Sequence, residues 1–588
     1  MARKSPILDY DPEPPKFAVS PEARSIIIVA FLVVVVFATF QGVCENQFAG
    51  FDDHLTLYGN PRLHPLPPET VSQSALWYWK HPEFSLYVPV TYQVWAALVP
   101  FAQLPRPGPD HADLAAGVFH AANLCFHLLN VIAAYLVLRL LVQRDWIAGI
   151  AALAYGLHPL QVEAVAWASG LKDVLCGLGM MLALWQYLLF ASAHREKFAA
   201  RRFKHAWIHY VLAMLFLLVA MLCKPSAMMM PIIAGILDWL IIGRPLRKVV
   251  VSIVPLLVAI APLVIVAKLV QGGSAVDTVA LWQRPFIATD ALAFYLYKLA
   301  LPFQLAACYA RRPALVLEHG WLWWTWIFPA MVVVAICLAG KNRRWLAAGA
   351  GVMLAALAPV LGLTAFDYQR ISTVADHYMY VAMLGPALIV GFALARAAAG
   401  WPRRICVSLA LLVVLGYAAL STIQVSYWHD QLALWSHAVA VAPESHTAHV
   451  NLGAVYQGIA EEQAQATWLR LAESEYARAV QLDPDDFSAQ NGLAAMLALR
   501  HRPNEALEHM KRAVEIEDRQ GVDPHAPNIG EQIRERLVLA QEFLRRGRPA
   551  DAIEFYQSVL RIDPQSKIAA DGLKMARAAA TTQPASAH

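Results

Sequence analysis

SIIIVAFLVVVVFATFQGV, residues 25–43, contains no charged side chain. A helix of this length covers about 30 Å, which is the thickness of the hydrocarbon core of a bilayer. The polar leader that precedes it, residues 1–24, has no small-residue cleavage site, so we expect an anchor and not a removed signal peptide. The run therefore predicts a first membrane span.

Similar apolar runs recur along the first two thirds of the chain. Hydrophobic residues make up 58% and charged residues only 15% of the 588 residues, whereas soluble proteins carry about 25% charged residues. The stretch 291–307 contains Lys298 and Pro302, and we interpret it as a re-entrant or interfacial helix. With the first run, the sequence predicts eleven spans in a domain over 25–424: 25–43, 117–138, 146–166, 174–193, 207–223, 226–243, 249–270, 321–340, 345–364, 378–397 and 405–424.

Basic residues in the short links predict the orientation of these spans. Short cytoplasmic loops are enriched in Lys and Arg. The basic links all fall on one side if 291–307 does not cross, which puts the leader in the cytoplasm and everything after 424 outside. These links are 139–144, 194–205, 244–248, 341–344 and 403–404.

Charge, cysteine usage and motifs exclude several function classes. A net charge of +4 is too small to indicate a nucleic-acid partner. The seven cysteines form no C-x-x-C pair, so they predict neither a zinc site nor a disulfide framework. The sequence also lacks a Walker A loop, a dinucleotide fingerprint and H-E-x-x-H, which argues against nucleotide-driven chemistry.

Two predicted external pieces are large. The first, 44–116, is acidic and rich in aromatic residues and proline, which favours a folded segment lying on the membrane. The second, 425–578, is amphipathic and Ala-rich, and Ala472 and Ala506 are separated by 34 residues, the period of a tetratricopeptide repeat. We count three copies of this pattern and expect an α-solenoid followed by a disordered tail at 579–588.

The acidic pair Asp52-Asp53, followed by His54, is the strongest candidate for a catalytic group. Two adjacent carboxylates raise each other's pKa, which brings one of them closer to the working range of a general base. An isolated pair of this kind is more often a solvated turn or a helix N-cap.

A second group of polar residues is predicted at the same membrane face as Asp52, and it favours a catalytic role for the acidic pair over a solvated turn. Ionisable side chains at membrane depth are costly and usually face a cavity or a partner. Together with Asp52, such a set fits a site for a hydroxyl acceptor and an anionic lipid phosphate, although any single member can equally belong to a structural ion pair. The set comprises His158, Glu163, Lys172, Asp173, Lys224, Arg370, Asp376 and His377.

One face of the second predicted span carries four polar residues, His120, Asn123, His127 and Asn130. A histidine pair on one face can ligate a metal, but no carboxylate or cysteine completes the set. We therefore interpret these residues as interhelical hydrogen-bonding groups.

Several of these segments, in this order along nearly the whole chain, resemble the transmembrane and tetratricopeptide repeat-containing O-mannosyltransferases. They are Asp52-Asp53, Phe119-His120, His158-Pro159 through Val165, Gly170 through Asp173, and Tyr427-Trp428 leading into Leu452-Gly453. The resemblance implies the GT-C glycosyltransferase fold: an all-α, polytopic membrane helix bundle followed by the α-solenoid.

The same resemblance implies a reaction. Mannose or a related hexose would pass from a polyprenyl-phosphate donor to Ser or Thr hydroxyls of exported proteins, with inversion at the sugar. Asp52 and Asp53 match the acidic motif, with Asp52 as the general base. Lys172, Lys224 and Arg370 become candidates for binding the donor phosphate.

Two departures from the family pattern affect these expectations. His377 stands where relatives commonly carry arginine, so phosphate binding through it should weaken as the pH rises. Only about three repeats are present, which shortens the acceptor-binding surface. The Ala- and Arg-rich composition suggests a bacterial protein with its repeats in the periplasm; in a eukaryote the equivalent place would be the lumen of the endoplasmic reticulum.

Two other function classes remain open at this level. One is a non-catalytic membrane scaffold that recruits proteins through its repeats, and the other is a lipid or glycan transporter, for which we find no matching half-repeats. The sequence establishes no cofactor. Mg²⁺ or Mn²⁺ at the acidic pair is conceivable because carboxylates are hard ligands, but two residues do not decide it.

Overall fold

The computed structural model describes residues 20–63, 76–83, 86–106, 108, 112–194, 206–271, 279–463, 465–522 and 529–582. Over these ranges the regular structure is helical, with two isolated β-bridges. The helices of eight or more residues are α1 (Pro21–Phe40), α2 (Pro89–Ala102), α3 (Ala116–Val142), α4 (Asp145–Gly156), α5 (Leu171–Ala193), α6 (Ala206–Cys223), α7 (Met230–Leu237), α8 (Leu246–Val270), α9 (Arg284–Ala300), α10 (Ile327–Leu338), α11 (Arg343–Leu357), α12 (Leu384–Ala397), α13 (Arg403–Ser426), α14 (Gln431–Val441), α15 (His446–Gln463), α16 (Ala466–Leu482), α17 (Phe487–Leu499), α18 (Pro503–Gln520), α19 (Ile529–Arg545), α20 (Pro549–Ile562) and α21 (Lys567–Thr582).

Eight helical segments in the described ranges are long and apolar enough to cross a membrane. A ninth is obtained if Asp376–Ala382 and Leu384–Ala397, which meet at an angle of 52°, count as one broken span. An all-α polytopic membrane fold is therefore confirmed. Two of the eleven predicted spans differ: α4 has 12 residues and α11 has 15, so neither is a single helix of spanning length.

The predicted span 146–166 is interrupted because His158 precedes a proline. A residue before proline avoids the helical region, and His158 is extended, with φ −65° and ψ 134°. Short helical turns replace the predicted continuous helix, and every residue from 151 to 174 is buried. This broken segment holds polar side chains inside the bundle.

The two ends of the bundle are distinguished by their charges. Arg24 and Arg139 both pair with Asp145 at one end, which we call the basic end. The opposite end, which we call the site end, holds Asp52 and Lys172.

Both ends of helix α9 are hydrogen-bonded to the rest of the bundle. Arg284 donates to the Leu363 carbonyl at 3.5 Å, and the carbonyl of Leu299 accepts from His158 Nε2 at 3.2 Å. Leu363 follows α11, and His158 belongs to the broken segment inside the bundle. The interfacial or re-entrant placement of 291–307 stays a prediction.

The segment between α1 and α3 packs around its own small core. Phe48, Tyr78, Tyr92 and Trp95 are buried there together with aliphatic residues of α2. Parts of the predicted loop 44–116, including Glu69 and Asp110, lie outside the described residues, as do 1–19 of the leader and 195–205 of the basic link.

Helices α14 to α21 form consecutive packed pairs that begin on the bundle. Trp435 of α14 is buried and meets the Phe51 ring edge-on at 5.6 Å. Arg312, in the connection between α9 and α10, pairs with Asp483 at 2.7 Å. These contacts place the start of the C-terminal helices at the site end. The last described helix ends at Thr582, inside the predicted tail 579–588, and residues 583–588 lie outside the described ranges.

Candidate functional site

Asp52 and Asp53 lie just beyond α1 and face different surroundings. Asp53 is fully buried, and its carboxylate accepts from the Ala49 N–H at 2.9 Å and from the N–H and hydroxyl of Ser169 at 2.9 and 2.5 Å. Burial raises the pKa of Asp53 to about 6, although the hydrogen bonds from Ser169 and Ala49 oppose this shift. Asp53 therefore links the loop after α1 to the broken segment between α4 and α5 by hydrogen bonds.

Asp52, in contrast, opens onto a cleft. Its side chain is 42% exposed, and its carboxylate lies 3.4 Å from the Lys172 ammonium. The backbone carbonyl of Asp52 accepts from Thr56, whose hydroxyl also bonds Ser169 at 2.8 Å. The loop geometry is fixed, while the Asp52 carboxylate remains accessible for chemistry.

Lys172, in the first turn of α5, is the nearest cation to Asp52. Its ammonium lies 4.7 Å from the centre of the Trp167 ring, and its side chain is 11% exposed. An ammonium has three N–H donors, so pairing with one carboxylate leaves donors for another anion.

Lys224 follows α6 and reaches the next residue of α5. Its ammonium contacts Asp173 Oδ1 at 2.5 Å and lies 5.7 Å from the Tyr378 ring centre. The other oxygen, Asp173 Oδ2, is buried and has no hydrogen-bond partner in the described part of the chain. The two predicted lysines thus meet at the first turn of α5: Lys172 belongs to it, and Lys224 pairs with its neighbour Asp173.

Glu163 and His377 form a buried pair behind this turn. The His377 ring donates from Nδ1 to one Glu163 oxygen at 2.8 Å, and its backbone N–H donates to the other at 3.1 Å. The His377 ring also lies 5.9 Å from the Trp167 ring. His377 therefore stands next to the residues that hold Lys172, with one ring nitrogen committed to Glu163.

Asp376 is held by a tyrosine from the connection between α9 and α10. Tyr309 donates to its two carboxylate oxygens at 2.9 and 3.0 Å. Nearby, the Lys298 ammonium donates to the carbonyls of Phe303 and Gln304, both at 2.8 Å. Asp376 thus anchors that connection to the site.

Three of the predicted site residues lie apart from this group. His54 is exposed and contacts the Tyr58 ring at 5.1 Å. His158 accepts from the Leu160 N–H in its own turn and bonds the Leu299 carbonyl through Nε2, so it joins the broken segment to α9 and not to Asp52. Arg370 is exposed, and its electrostatic neighbour is His446 at the start of α15.

The acidic pair does not match a divalent-metal site. The two oxygens of Asp53 already accept three donors, and Asp52 pairs with a cation. Within the described ranges, no group of three or more His, Cys, Asp and Glu side chains is arranged to hold an ion.

The polar face of α3 has the structural role that its sequence predicts. Asn123 donates to the Trp167 carbonyl at 2.7 Å and Asn130 to the Val174 carbonyl at 2.8 Å. His127 lies 3.0 Å from the carbonyl of Gly156, and His120 lies 3.3 Å from that of Gln47. The interhelical interpretation is confirmed for His127 and Asn130, whose partners belong to α4 and α5, whereas Asn123 and His120 bond carbonyls of non-helical residues.

Sequence reasoning missed several members of the site. Tyr309 lies 67 residues from its partner Asp376, so no local pattern reveals the contact. Tyr92 and Trp95, one helical turn apart on α2, line the cleft next to Asp52. The sequence predicts them only as members of the aromatic-rich segment 44–116. Their spacing of three on a helix is the signal that was available.

Comparison with known proteins gives one partial similarity. The human Protein O-mannosyl-transferase TMTC4 is 34% identical to this chain over 96 residues, which are 16% of this chain and 12% of the human protein. No protein-family model matches the chain. The chain thus matches about one eighth of that relative, and the similarity supports a relationship to membrane glycosyltransferases at a general level.

Proposed function

We propose that this protein is an integral-membrane glycosyltransferase. It transfers mannose or a related hexose from a polyprenyl-phosphate donor to Ser or Thr hydroxyls of exported proteins. The observation that carries this proposal is the accessible Asp52 carboxylate, 3.4 Å from Lys172, in a cleft at the end of the bundle where the C-terminal helices begin. The partial similarity to a human O-mannosyl-transferase supports the same reaction class.

In the proposed reaction, Asp52 takes the proton of the acceptor hydroxyl as its oxygen attacks the anomeric carbon. The bond from that carbon to the donor phosphate breaks, the electron pair leaves with polyprenyl phosphate, and the single displacement inverts the carbon. Because the Asp52 side chain is 42% exposed, an incoming hydroxyl can reach its carboxylate. A positioned general base of this kind accelerates a reaction about 10²–10⁴-fold.

Lys172 and Lys224 bind the donor phosphate in this scheme. Lys172 lies on α5 and Lys224 pairs with the next residue of that helix, and each keeps N–H donors beyond its carboxylate partner. Preorganised cations stabilise the charge that develops on a leaving phosphate. Glu163, Asp173 and His377 position these lysines and Trp167, Asp376 holds the Tyr309 connection, and Arg370 faces the acceptor side.

The C-terminal helices present the acceptor. Pairs of helices with the tetratricopeptide period usually hold peptides in a groove, and here the first pairs start at the site end. We assign the compartment of this end to the periplasm of a bacterial cell, with undecaprenyl phosphate as carrier, or to the lumen of the endoplasmic reticulum in a eukaryote.

The direct test incubates purified protein in detergent with polyprenyl-phosphate-mannose and an extract of exported proteins. Intact-mass spectrometry should detect a hexose-sized increase with wild type and none with Asp52→Asn, whose amide has nearly the shape of the carboxylate but cannot accept the proton. Equal activity of Asp52→Asn would reject the base. Failure of the wild type with every polyprenyl-phosphate sugar would favour the alternative, a scaffold that recruits proteins through its helix pairs.

A further inference from the structure

A groove of about 440 Å³ lies on the side of the bundle between α12 and α13. Its walls are largely aliphatic, and His158 and Tyr417 supply its polar side chains. Val390 of α12 and Leu409 and Val413 of α13 line the groove and are 37%, 50% and 51% exposed, so it is open along one side. Residues of α4, α9, α10 and α11 form the other sides.

The open side of this groove faces the hydrocarbon of the bilayer. α13 and α10 both belong to segments that are long and apolar enough to cross the membrane, and α10 has no buried residue. Along α13 the groove extends from Leu409 to Tyr417, a rise of about 12 Å. One leaflet contributes about 15 Å of hydrocarbon, so the groove has the length of a lipid chain within one leaflet.

The groove leads to the basic end of the bundle. α12 starts beside the site residue His377, and α13 continues into α14 at the site end, so the last turn of α12 and the first turn of α13 lie at the opposite end. Arg396 follows the groove residue Leu394 by about 3 Å along α12, and Arg404 precedes Leu409 by about 8 Å along α13. Two arginines therefore flank this end of the groove.

These two arginines differ from others at the basic end. Arg24 and Arg139 are both neutralised by Asp145. Arg396 and Arg404 are exposed, and neither forms an ion pair with any residue that the structure describes. Their guanidinium groups are thus available to an anion from outside the chain.

We propose that the groove binds one chain of an anionic phospholipid from the leaflet at the basic end, with the lipid phosphate on Arg396 and Arg404. The chain packs on the aliphatic walls, and the phosphate oxygens accept charge-assisted hydrogen bonds from the guanidinium groups. Basic residues at the ends of membrane helices attract anionic headgroups in the same way. This inference does not depend on the proposed function.

The polyprenyl donor fits this groove less well. Its phosphate is assigned to Lys172 and Lys224 at the site end, whereas the charged end of the groove is the basic end. A donor chain that entered the groove from the site end would leave Arg396 and Arg404 without an anion. The charges therefore favour a phospholipid of the opposite leaflet.

Native mass spectrometry of the full-length protein in detergent measures binding of added lipid. Dioleoyl phosphatidylglycerol is the anionic probe, and dioleoyl phosphatidylcholine carries the same chains without net charge. Wild type should bind one phosphatidylglycerol more tightly than phosphatidylcholine. Arg396→Gln and Arg404→Gln should each weaken binding of phosphatidylglycerol about fivefold and leave phosphatidylcholine unchanged. Arg247→Gln is the matched control, because Arg247 is an exposed arginine of α8, which does not line the groove.

Val413→Trp tests the groove itself. The larger side chain should occupy the space and weaken both lipids about tenfold, the loss expected when a pair of methylene groups is no longer buried. Leu412→Trp is its control, because Leu412 is 67% exposed on the same helix and does not line the groove. If Val413→Trp does not fold, Val390→Trp replaces it from the other wall.

Three results would overturn the proposal. They are equal binding of the two phospholipids by wild type, unchanged binding of phosphatidylglycerol in the groove-filling variant, and displacement of phosphatidylglycerol by polyprenyl phosphate, which would assign the groove to the donor. None of the first two bears on glycosyl transfer, which the hexose mass increase tests separately.

Discussion

Asp52 and Asp53 are neighbours in the chain, but they have different physical tasks. Asp53 is inaccessible and accepts three hydrogen bonds, so a substrate cannot reach it without dismantling the loop. Asp52 has one cationic partner and a solvent-facing carboxylate. We therefore assign the base to Asp52 and a positioning role to Asp53.

This division predicts that two matched substitutions reduce stability to different extents. Asp53→Asn replaces an acceptor oxygen by an amide that donates, which leaves at least one donor of Ala49 or Ser169 unsatisfied and costs about 1–3 kcal/mol. Asp52→Asn loses only a partly exposed ion pair and should change stability by less than about 1 kcal/mol. Thermal unfolding in detergent measures both. A larger loss in Asp52→Asn would contradict the assignment.

Asp53 also predicts a dependence of stability on pH. Its pKa is about 6 in the folded protein and 3.8 as an ordinary carboxyl, so the folded state retains this proton longer than the unfolded state. Stability from this group is thus greatest below about pH 4 and falls, by up to about 3 kcal/mol, as the pH rises to about 6.

The difference between wild type and Asp53→Asn isolates this contribution. Melting temperatures measured from pH 4 to 7 should decline more steeply in wild type than in Asp53→Asn over that window. Parallel curves for the two proteins would show that Asp53 does not titrate there.

At the scale of elements, the broken segment between α4 and α5 builds the site. It supplies Glu163, Trp167 and Ser169 at membrane depth, where an unbroken helix would present only one stripe of side chains. Hydropathy alone predicts one span over 146–166, because the residues there are mostly apolar whether the backbone is helical or not. Only His158-Pro159 signals the interruption.

The ion pair between Lys224, at the end of α6, and Asp173 of α5 predicts the outcome of a double-mutant cycle. Lys224→Met leaves the Asp173 carboxylate buried without its cation, and removing one partner of a buried pair costs about 3–5 kcal/mol. Adding Asp173→Asn should recover part of that loss. Both variants should fail to bind polyprenyl phosphate if Lys224 is a phosphate ligand. Unfolding and lipid-binding measurements together test this, and additive losses in stability would contradict the pairing.

At the scale of the whole molecule, the connection between α9 and α10 joins the site to the C-terminal helices. Tyr309 binds Asp376 on the site side, and Arg312 binds Asp483 and the Leu482 carbonyl on the other side. A disturbance of the C-terminal helices can thus reach the site through the short stretch from Arg312 to Tyr309.

A charge exchange tests this coupling. Arg312→Glu should reduce transfer to protein acceptors several-fold, because it repels Asp483, while binding of the lipid donor remains. The double variant Arg312→Glu, Asp483→Arg should restore part of the activity. The acceptor assay by mass spectrometry and the lipid-binding assay measure the two effects. No recovery in the double variant would show that this ion pair does not align the two parts.

The topology makes a prediction for the intact membrane. Protease added to sealed vesicles should cleave the segment 44–116 and the helices after 430 from the same face, and the link 194–205 from the opposite face. Cleavage of the C-terminal helices and of 194–205 from one face would contradict the arrangement of the ends.

The sequence predicts features that depend on residues close together in the chain, and it does not predict contacts between residues far apart in the chain. The all-α membrane fold follows from long apolar runs, and the hydrogen bonds of α3 follow from a regular spacing. The Asp52–Lys172 and Glu163–His377 pairs join residues 120 and 214 positions apart. The predicted topology placed these four residues at one membrane face, but it did not predict which of them pair. The different tasks of Asp52 and Asp53 depend on burial, which an adjacent pair of identical letters does not encode.

The docking of α14 and α15 on the bundle has a kinetic consequence. An acceptor protein bound to those helices, as we propose, would be tethered near Asp52, so each of its hydroxyls would sample the cleft at an effective concentration in the millimolar range even when the free protein is scarce. Rates for a docked substrate would then depend on the reach of its flexible segments. Hydroxyls near the docked region would react first, and several of them would react before the protein dissociates.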